Sequence, residues 1–371
     1  MNYIPLTQVC DFQGGSQPPK EQWIDHAEDG YIRMLQIRDF TQPDKDNIEY
    51  VRLTKTVKTC NEDDILIGRY GASVGKILTG LSGAYNVAII KTIPDASKLT
   101  KRFLYHYLNS PYFQSFILSV GSRAAQAGFN KEDLSDAQIP QLSLKEQEYV
   151  TSRLDKIVDL IALRKQQLSK LDELVKSRFI ELFGDRYTNN KKWDNKPLYE
   201  CADFYNGKAH EQVVDENGEY ILVTSRCIAS DISDYRRTNA LLFPLQVNDI
   251  AMVMSDVPNG RALAKCVLID EDGKYTLNQR ICCLRNYSFN PIFFYYLLNR
   301  HEYFLSFNDG NAQTNLRKDD LLACNIIIPP MELQEQFAAF VEQTDKSKFE
   351  IQKSLEKLET LKKALMQKYF G

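Results

Sequence analysis

Pro5-Leu6-Thr7-Gln8-Val9-Cys10-Asp11-Phe12-Gln13-Gly14-Gly15 opens the chain, and Pro197-Leu198-Tyr199-Glu200-Cys201-Ala202-Asp203-Phe204-Tyr205-Asn206-Gly207 opens its second half in the same register. Further pairs follow in the same order. Tyr31-Ile32 recurs as Tyr220-Ile221, with an arginine a few residues on in both (Arg38, Arg226). Asp64-Ile65 ahead of Gly75-Lys76 recurs as Asp249-Ile250 ahead of Gly260-Arg261, and Asn86 recurs as Asn278. Phe103 to Asn109 (FLYHYLN) recurs as Phe293 to Asn299 (FFYYLLN), and Lys131-Glu-Asp-Leu134 as Lys318-Asp-Asp-Leu321. Pro140, Leu144 and Glu146-Gln147 match Pro329, Leu333 and Glu335-Gln336. So many ordered matches are an internal duplication, and a period of about half the chain is too long for a solenoid. The chain is two domains of one kind, each followed by a helix.

Each globular part reads as mixed α/β. Asp64 to Ile67 and Asn86 to Ile90 are short apolar runs punctuated by Gly and Asn, the mark of strands. The two aromatic heptapeptides fit a short buried helix or a strand equally, because periodicity does not separate the two at that length.

Helices are plainer. Ser143-Leu-Lys-Glu146 after Pro140 is a capping box. From it Val150, Leu154, Ile157, Ile161, Arg164, Leu168, Leu171 and Val175 follow in alternating steps of four and three, a seam against a partner helix with one arginine in it. Leu182-Phe183-Gly184-Asp185 ends it. Forty residues would give roughly 60 Å of helix. The second helix starts after Pro329-Pro330 and carries Phe337, Phe340 or Val341, Thr344, Ile351, Leu355, Leu358, Leu361 and Leu365 before Tyr369-Phe370-Gly371. Lys348 and Lys362 stand where apolar residues would continue its alternation.

With 371 residues, 43% hydrophobic and 26% charged, two or three soluble domains are expected. No stretch is long and apolar enough to cross a membrane and no signal core is present, so a cytoplasmic protein is expected. Eight scattered cysteines without a CxxC pair read as reduced core thiols, and four isolated histidines offer no metal cluster. The net charge of −3 excludes a protein that holds nucleic acid by bulk charge alone.

Catalytic motifs fail on mechanics. Gly71-Ala-Ser-Val-Gly75-Lys76 has three residues between its glycines and Ile77 after its lysine, where a phosphate loop needs four residues and Ser or Thr. A glycine-rich hairpin presenting one cation fits both copies instead. Asn109-Ser-Pro-Tyr112 departs from the Asn-Pro-Pro-Tyr of amino-methyltransferases, and Pro94-Asp95 lacks the spaced acid and lysine of a nuclease. Two similar domains without chemistry point to two binding modules.

With these residues in view, the chain resembles the specificity subunit of a type I restriction-modification enzyme, essentially end to end. The resemblance rests on Asp11-Phe-Gln-Gly-Gly-Ser-Gln-Pro18, Gly68-Arg-Tyr-Gly-Ala-Ser-Val-Gly-Lys76 and Asn86. It rests also on the run from Lys131 to Pro140 leading into Glu146-Gln147, and on Leu182-Phe-Gly-Asp185. The second loop and the second helix ending depart from that pattern. The resemblance implies an α+β fold with a first target-recognition domain at 1–142, a long helix at 143–184 and a linker at 185–195. A second domain at 196–330 and a second helix at 331–371 complete it. It implies that the helices pair antiparallel as a spacer while each domain reads one half of a bipartite double-stranded DNA target. Two methyltransferase subunits would dock on the helices and motor-endonuclease subunits would join them. S-adenosylmethionine, ATP and magnesium would belong to those partners, with no cofactor and no catalytic site in this chain.

Base reading needs Arg, Lys, Asn and Gln on exposed loops. The candidates are Arg69, Tyr70, Ser73, Lys76, Asn86, Arg123, Gln126 and Lys131 in the first copy. In the second they are Lys208, Arg226, Asn259, Arg261, Asn278, Gln313, Asn315, Arg317 and Lys318. Asn86 and Asn278 also suit the plainer task of capping a turn. Two other readings of the residues stay open: a coiled-coil adaptor that binds no DNA, and an enzyme with an unrecognised site.

Overall fold

The computed structural model describes residues 2–42, 47–121, 128–257, 260–308, 310 and 313–371. The chain forms two compact units, Met1–Lys165 with Lys353–Gly371, and Gln166–Gln352.

In the first unit Cys10–Gly14, Ile89–Pro94, Leu66–Gly68 and Ile77–Leu78 form a four-stranded antiparallel sheet in that order. A second, five-stranded sheet runs Trp23–Ile24, Tyr50–Arg52, Tyr31–Leu35, Gly83–Tyr85, Thr59–Cys60. Its one parallel pair joins Tyr31–Leu35 to Gly83–Tyr85. The second unit repeats the plan. Asp203–Asn206, Ile281–Arg285, Ile250–Val253 and Cys266–Leu268 make the antiparallel sheet, and Tyr220–Val223 lies parallel to Tyr275–Leu277. A ribbon closes each unit, Tyr3–Pro5 on Gln138–Pro140 and Asn195–Pro197 on Asn325–Ile327.

The aromatic heptapeptides are helices, Lys101–Leu108 and Pro291–Leu298. Their caps decide it. The Thr100 hydroxyl accepts from the Phe103 amide, and the Asn290 side chain accepts from Ile292 and Phe293 ahead of a proline at the first turn. The long helices span Leu144–Phe183 and Met331–Phe370, 40 residues each. The capping box forms as expected: the Ser143 amide and hydroxyl donate to Glu146 at 2.8 and 2.6 Å. The second helix sits two residues earlier in the repeat than the Leu144–Leu333 match implies. Buried Gln147 accepts from the Thr100 amide, and its counterpart is Gln334, which accepts from the Asn290 amide; both contacts are 2.9 Å.

That register settles the seam. In the first unit Val150, Leu154 and Ile157 are buried, with Ile161 and Arg164 half-buried; in the second Val175 is buried, with Leu168 and Leu171 half-buried. On the other helix Leu355 is buried and Ile351, Leu358 and Leu365 are half-buried. Leu361, assigned to the seam above, is exposed, and Lys362 takes its place half-buried, one step around the helix. Lys348 is likewise in the seam, where Asp172 receives its ammonium at 2.7 Å. Within each unit the paired helix segments run antiparallel, tied by Lys165 to Glu359 (3.2 Å) in the first and by Lys348 to Asp172 in the second.

Each core is completed by the far end of a long helix. Phe370 packs on Phe103 at 5.2 Å and Tyr107 at 6.0 Å in the first unit. Phe183, the last residue of the other helix, packs on Phe293 at 4.7 Å and Phe337 at 5.6 Å in the second.

Candidate nucleic-acid interface

A single turn organises the site in each unit. Gly83–Tyr85 runs out of the parallel pair into Asn86, whose side chain accepts from the Ala88 amide at 3.2 Å while its own amide donates to the Leu35 carbonyl at 3.2 Å. Asn278 repeats this, accepting from Arg280 (3.4 Å) and donating to Val223 (3.1 Å). The asparagines therefore hold turns, the plainer of their two expected tasks. On one side of the turn a five-residue helix begins, Ile37–Thr41 or Ser225–Ala229, and its second residue is Arg38 or Arg226. On the other side lies the loop after the central strand, joined to the turn by the Arg69 amide to Ala88 (2.9 Å) and by the Met254 amide to Arg280 (3.3 Å).

The first loop is a hairpin that exposes one cation, Lys76. Gly71–Ser73 is a single 3-10 turn followed by the strand Ile77–Leu78, so no helix offers its N-terminus to a phosphate. Gly75 (φ +79°) closes the hairpin against Ile117, where a Cβ would meet a methyl at 2.7 Å. Lys76 and Tyr70 are exposed, Ser73 is half-buried, and the Arg69 Nε donates to the Phe129 carbonyl at 3.1 Å with its guanidinium over the Tyr70 ring. Lys131 is paired with Asp11 and holds that carboxyl below its usual range. Arg123 and Gln126 lie outside the described residues.

The second loop corrects the expected match of Lys76 with Arg261. Strand pairing fixes the equivalence: the Gly68 amide donates to the Lys76 carbonyl, and the Val253 amide to the Lys265 carbonyl. Lys265 is thus the counterpart of Lys76, and it is tied down, donating to the Ala229 carbonyl (2.9 Å) and Asp231 (2.8 Å). Arg261 is exposed on the longer loop, which Asp256 organises by accepting from the amides of Val257, Ala262 and Leu263. Ser255–Asp256 pairs with Thr314–Asn315, and Gln313 donates to the Ser255 hydroxyl at 2.8 Å, so Gln313, Asn315 and Arg261 share one rim. Arg317 and Lys318 follow at the start of the helix Lys318–Leu322, both exposed, Lys318 over the Phe204 ring. The Lys208 backbone forms a parallel β-bridge with Asn278, its amide donating to the Leu277 carbonyl at 2.9 Å, and the residue is exposed. Asn259 lies outside the described residues.

Sequence reading missed the acids around these arginines. Glu49 accepts from Arg38 at 2.5 Å, from Gln36 at 2.6 Å and from Lys20. Burial alone would raise the Glu49 carboxyl, but Lys20 and Arg38 bring it below its usual range. Asp234 accepts from Arg226 at 2.5 Å. A hollow of about 360 Å³ lies there, lined among others by Arg226, Asp234, Arg236, Asn278 and Arg280. The recurrence of Arg38 with Arg226 was the available signal. Their acids both lead into the strand that pairs antiparallel with the one before the arginine helix, but at different offsets, Glu49 directly before Tyr50–Arg52 and Asp234 two residues before Arg236–Thr238.

The other recurrent carboxylates are structural. Asp64 takes Lys91 and Lys101, and Asp249 takes Arg285 through both oxygens at 2.7 and 2.6 Å. Asp95 caps its own turn through Ser97, and the Asn109 side chain closes on the Tyr105 carbonyl. Among the described residues no group of three His, Cys, Asp or Glu side chains could hold a metal, and no helix is long and apolar enough to cross a membrane.

Residues 1–173 and 190–363 each match the model of the type I restriction modification DNA specificity domain. The chain belongs to that family. It is 23% identical over 373 aligned residues to the type I restriction enzyme MjaVIII specificity subunit of Methanocaldococcus jannaschii, covering 92% of this chain and 86% of that one. The type I restriction enzyme EcoBI specificity subunit of Escherichia coli is 22% identical over 186 residues, 47% of this chain and 39% of the relative. Two solved structures share the fold. The type I restriction-modification S subunit from M. genitalium aligns over all of this chain and 96% of its own, with a TM-score of 0.56 at 15% identity. A chain from a study of assembly and conformational transition in the type I system aligns over 100% and 97%, with a TM-score of 0.62 at 14% identity. The fold is thus α+β with the two-domain architecture of these subunits, as the duplication implied.

Proposed function

We propose that this specificity-family chain is the non-catalytic, sequence-reading subunit of a type I restriction-modification complex in the cytoplasm. Its domains at 1–142 and 196–330 each read one half of a bipartite double-stranded DNA target. The long helices at 143–184 and 331–371 set the unread interval and carry two methyltransferase subunits, with motor-endonuclease subunits joining for restriction. S-adenosylmethionine, ATP and magnesium act on those partners. The observation that carries this reading is the duplicated rim: one turn, Asn86 or Asn278, at the end of one parallel strand pair, flanked in both units by an arginine helix and a polar loop. Arginine, asparagine and glutamine side chains on exposed loops suit the base edges of the major groove. Because the whole chain carries −3, backbone attraction must be local or supplemented by a partner.

The test is selection of bound duplexes from a random pool, with the chain alone and with its methyltransferase subunits. A two-part motif separated by a fixed unselected gap, sharpened by the partner, is expected. Binding without any preferred sequence would return the chain to the adaptor reading.

A further inference from the structure

The arginines beside the two turns are not ordinary surface cations. Arg38 and Arg226 occupy the same place, second in a five-residue helix that leaves the parallel strand one residue beyond Leu35 or Val223, the carbonyls bound by Asn86 and Asn278. Each is held by one carboxylate brought from a different segment. Asp234 takes the Arg226 Nε at 2.5 Å and leaves both terminal nitrogens without a partner among the described residues. Glu49 takes one Arg38 terminal nitrogen at 2.5 Å, and Gln36 and Lys20 hold Glu49 in turn. The Arg226 side chain is 71% exposed, so this pair is too open to contribute much to stability. Arg38 is more enclosed, its side chain 41% exposed with Nε buried and one terminal nitrogen on Glu49, yet its other terminal nitrogen is likewise unengaged among the described residues. In both units the carboxylate sets the plane and direction of the fork. The base edge that matches such a fork is guanine, with O6 and N7 side by side in the major groove.

Resting on the DNA-reading function above, we infer that Arg38 and Arg226 each read a guanine, one in each half-site, and that Glu49 and Asp234 are positioning residues that aim them. Asn86 and Asn278 support the same spot by holding the turn. A phosphate contact would need only the charge, so lysine would substitute; a guanine contact needs the fork, so lysine would not.

The experiment is duplex selection with the complete chain in complex with its methyltransferase subunits, comparing wild type with R226A, R226K, D234N, R38A, R38K and E49Q, each checked for an unchanged melting temperature. The wild-type motif should contain a G·C pair in each half. R226A and R226K should both lose preference at one G·C pair of one half by about fivefold to about a hundredfold, leaving the other half intact. D234N should lose preference at that same pair, and the Arg38 and Glu49 variants should do this in the other half. Uniform weakening on all sequences that lysine restores would overturn the inference in favour of a phosphate contact, and so would an unchanged motif. A wild-type complex that selects no motif would refute the DNA-reading function itself, a different result from either.

Discussion

Gly15 lies against Asn86 so closely that a Cβ on it would stand 2.1 Å from the Asn86 carbonyl oxygen, and Gly207 stands in the same relation to Asn278, also at 2.1 Å. Real Cβ atoms do not approach backbone oxygen so nearly, and neither neighbour is a flexible side-chain tip. The opening motif of each repeat therefore ends in glycine because the chain must pass under the turn that organises the rim. Gly207→Ala should force that turn outward at a cost of about 1–3 kcal/mol, as for an overpacked core. It should blur the second half-site while sparing the first, and Gly15→Ala should do the converse. Melting curves and duplex selection on both variants check this. Full selectivity with unchanged melting would show that the contact does not set the rim.

That glycine was legible in the sequence only as a recurrent letter, and the same holds for much of the site. The duplication shows as letters recurring in order, and the capping box and the four-three seam are local patterns, so they were readable and the helices followed from them. The register of the second seam was not. Thr344, Lys348 and Lys362 break its apolar spacing, and only Gln334 bonding Asn290 as Gln147 bonds Thr100 fixes the frame. Lys265 was hidden behind Arg261 because the second loop is longer, and loop length is invisible until strand pairing aligns its ends. Glu49 and Asp234 were unreadable because they stand 11 and 8 residues from their arginines, at different offsets before the equivalent strand, so no common spacing marks them.

Lys76 and Lys265 separate charge from position. Lys76 is exposed on its hairpin with no ion pair among the described residues, whereas Lys265 is spent on Asp231 and the Ala229 carbonyl. Lys76→Ala should weaken binding about equally on all duplexes and reduce the slope of log affinity against log salt by about one unit. Lys265→Ala should leave that slope unchanged and lower the melting temperature. Titrations at several salt concentrations decide it; a flattened slope for Lys265→Ala would contradict the assignment.

His301 gives the second unit a pH dependence. Its ring is buried, Nδ1 accepts from the Tyr303 amide at 3.1 Å, and Nε2 has no partner among the described residues. Burial, reinforced by the Arg186 guanidinium, pushes its pKa down from 6.5 to about 4. The unfolded chain therefore binds a proton that the folded one refuses between those values. Stability from this group is complete above pH 6.5 and is lost as pH falls towards 4, by up to about 3 kcal/mol at 1.36 kcal/mol per unit. His301→Asn keeps a capping acceptor and removes the titration. Denaturant midpoints from pH 7 to pH 4 should fall less steeply in the variant than in wild type; parallel curves would mean that His301 is not protonated on unfolding.

Leu361 tests the helix pair from its outer side. It is 47% exposed, one step off the seam that Leu358 and Lys362 occupy, and Phe349 on the same helix is 65% exposed. Exposed apolar side chains on a long helix contribute little to folding, and exchanging one for a cation normally changes stability by less than about 0.5 kcal/mol. They do matter where another protein covers them, because a charge placed there must be desolvated without a partner. Leu361→Lys and Phe349→Lys should therefore melt like the wild type when the chain is alone, while Leu358→Ala, cutting into the seam, should melt earlier. If methyltransferase subunits dock on the helices, the two lysine variants should recover less of that partner in co-purification, and both should bind DNA with reduced selectivity. A Leu361→Lys chain that melts as early as Leu358→Ala would put Leu361 back in the seam. One that melts normally and captures its partner in full would move the docking surface to another face of the helices.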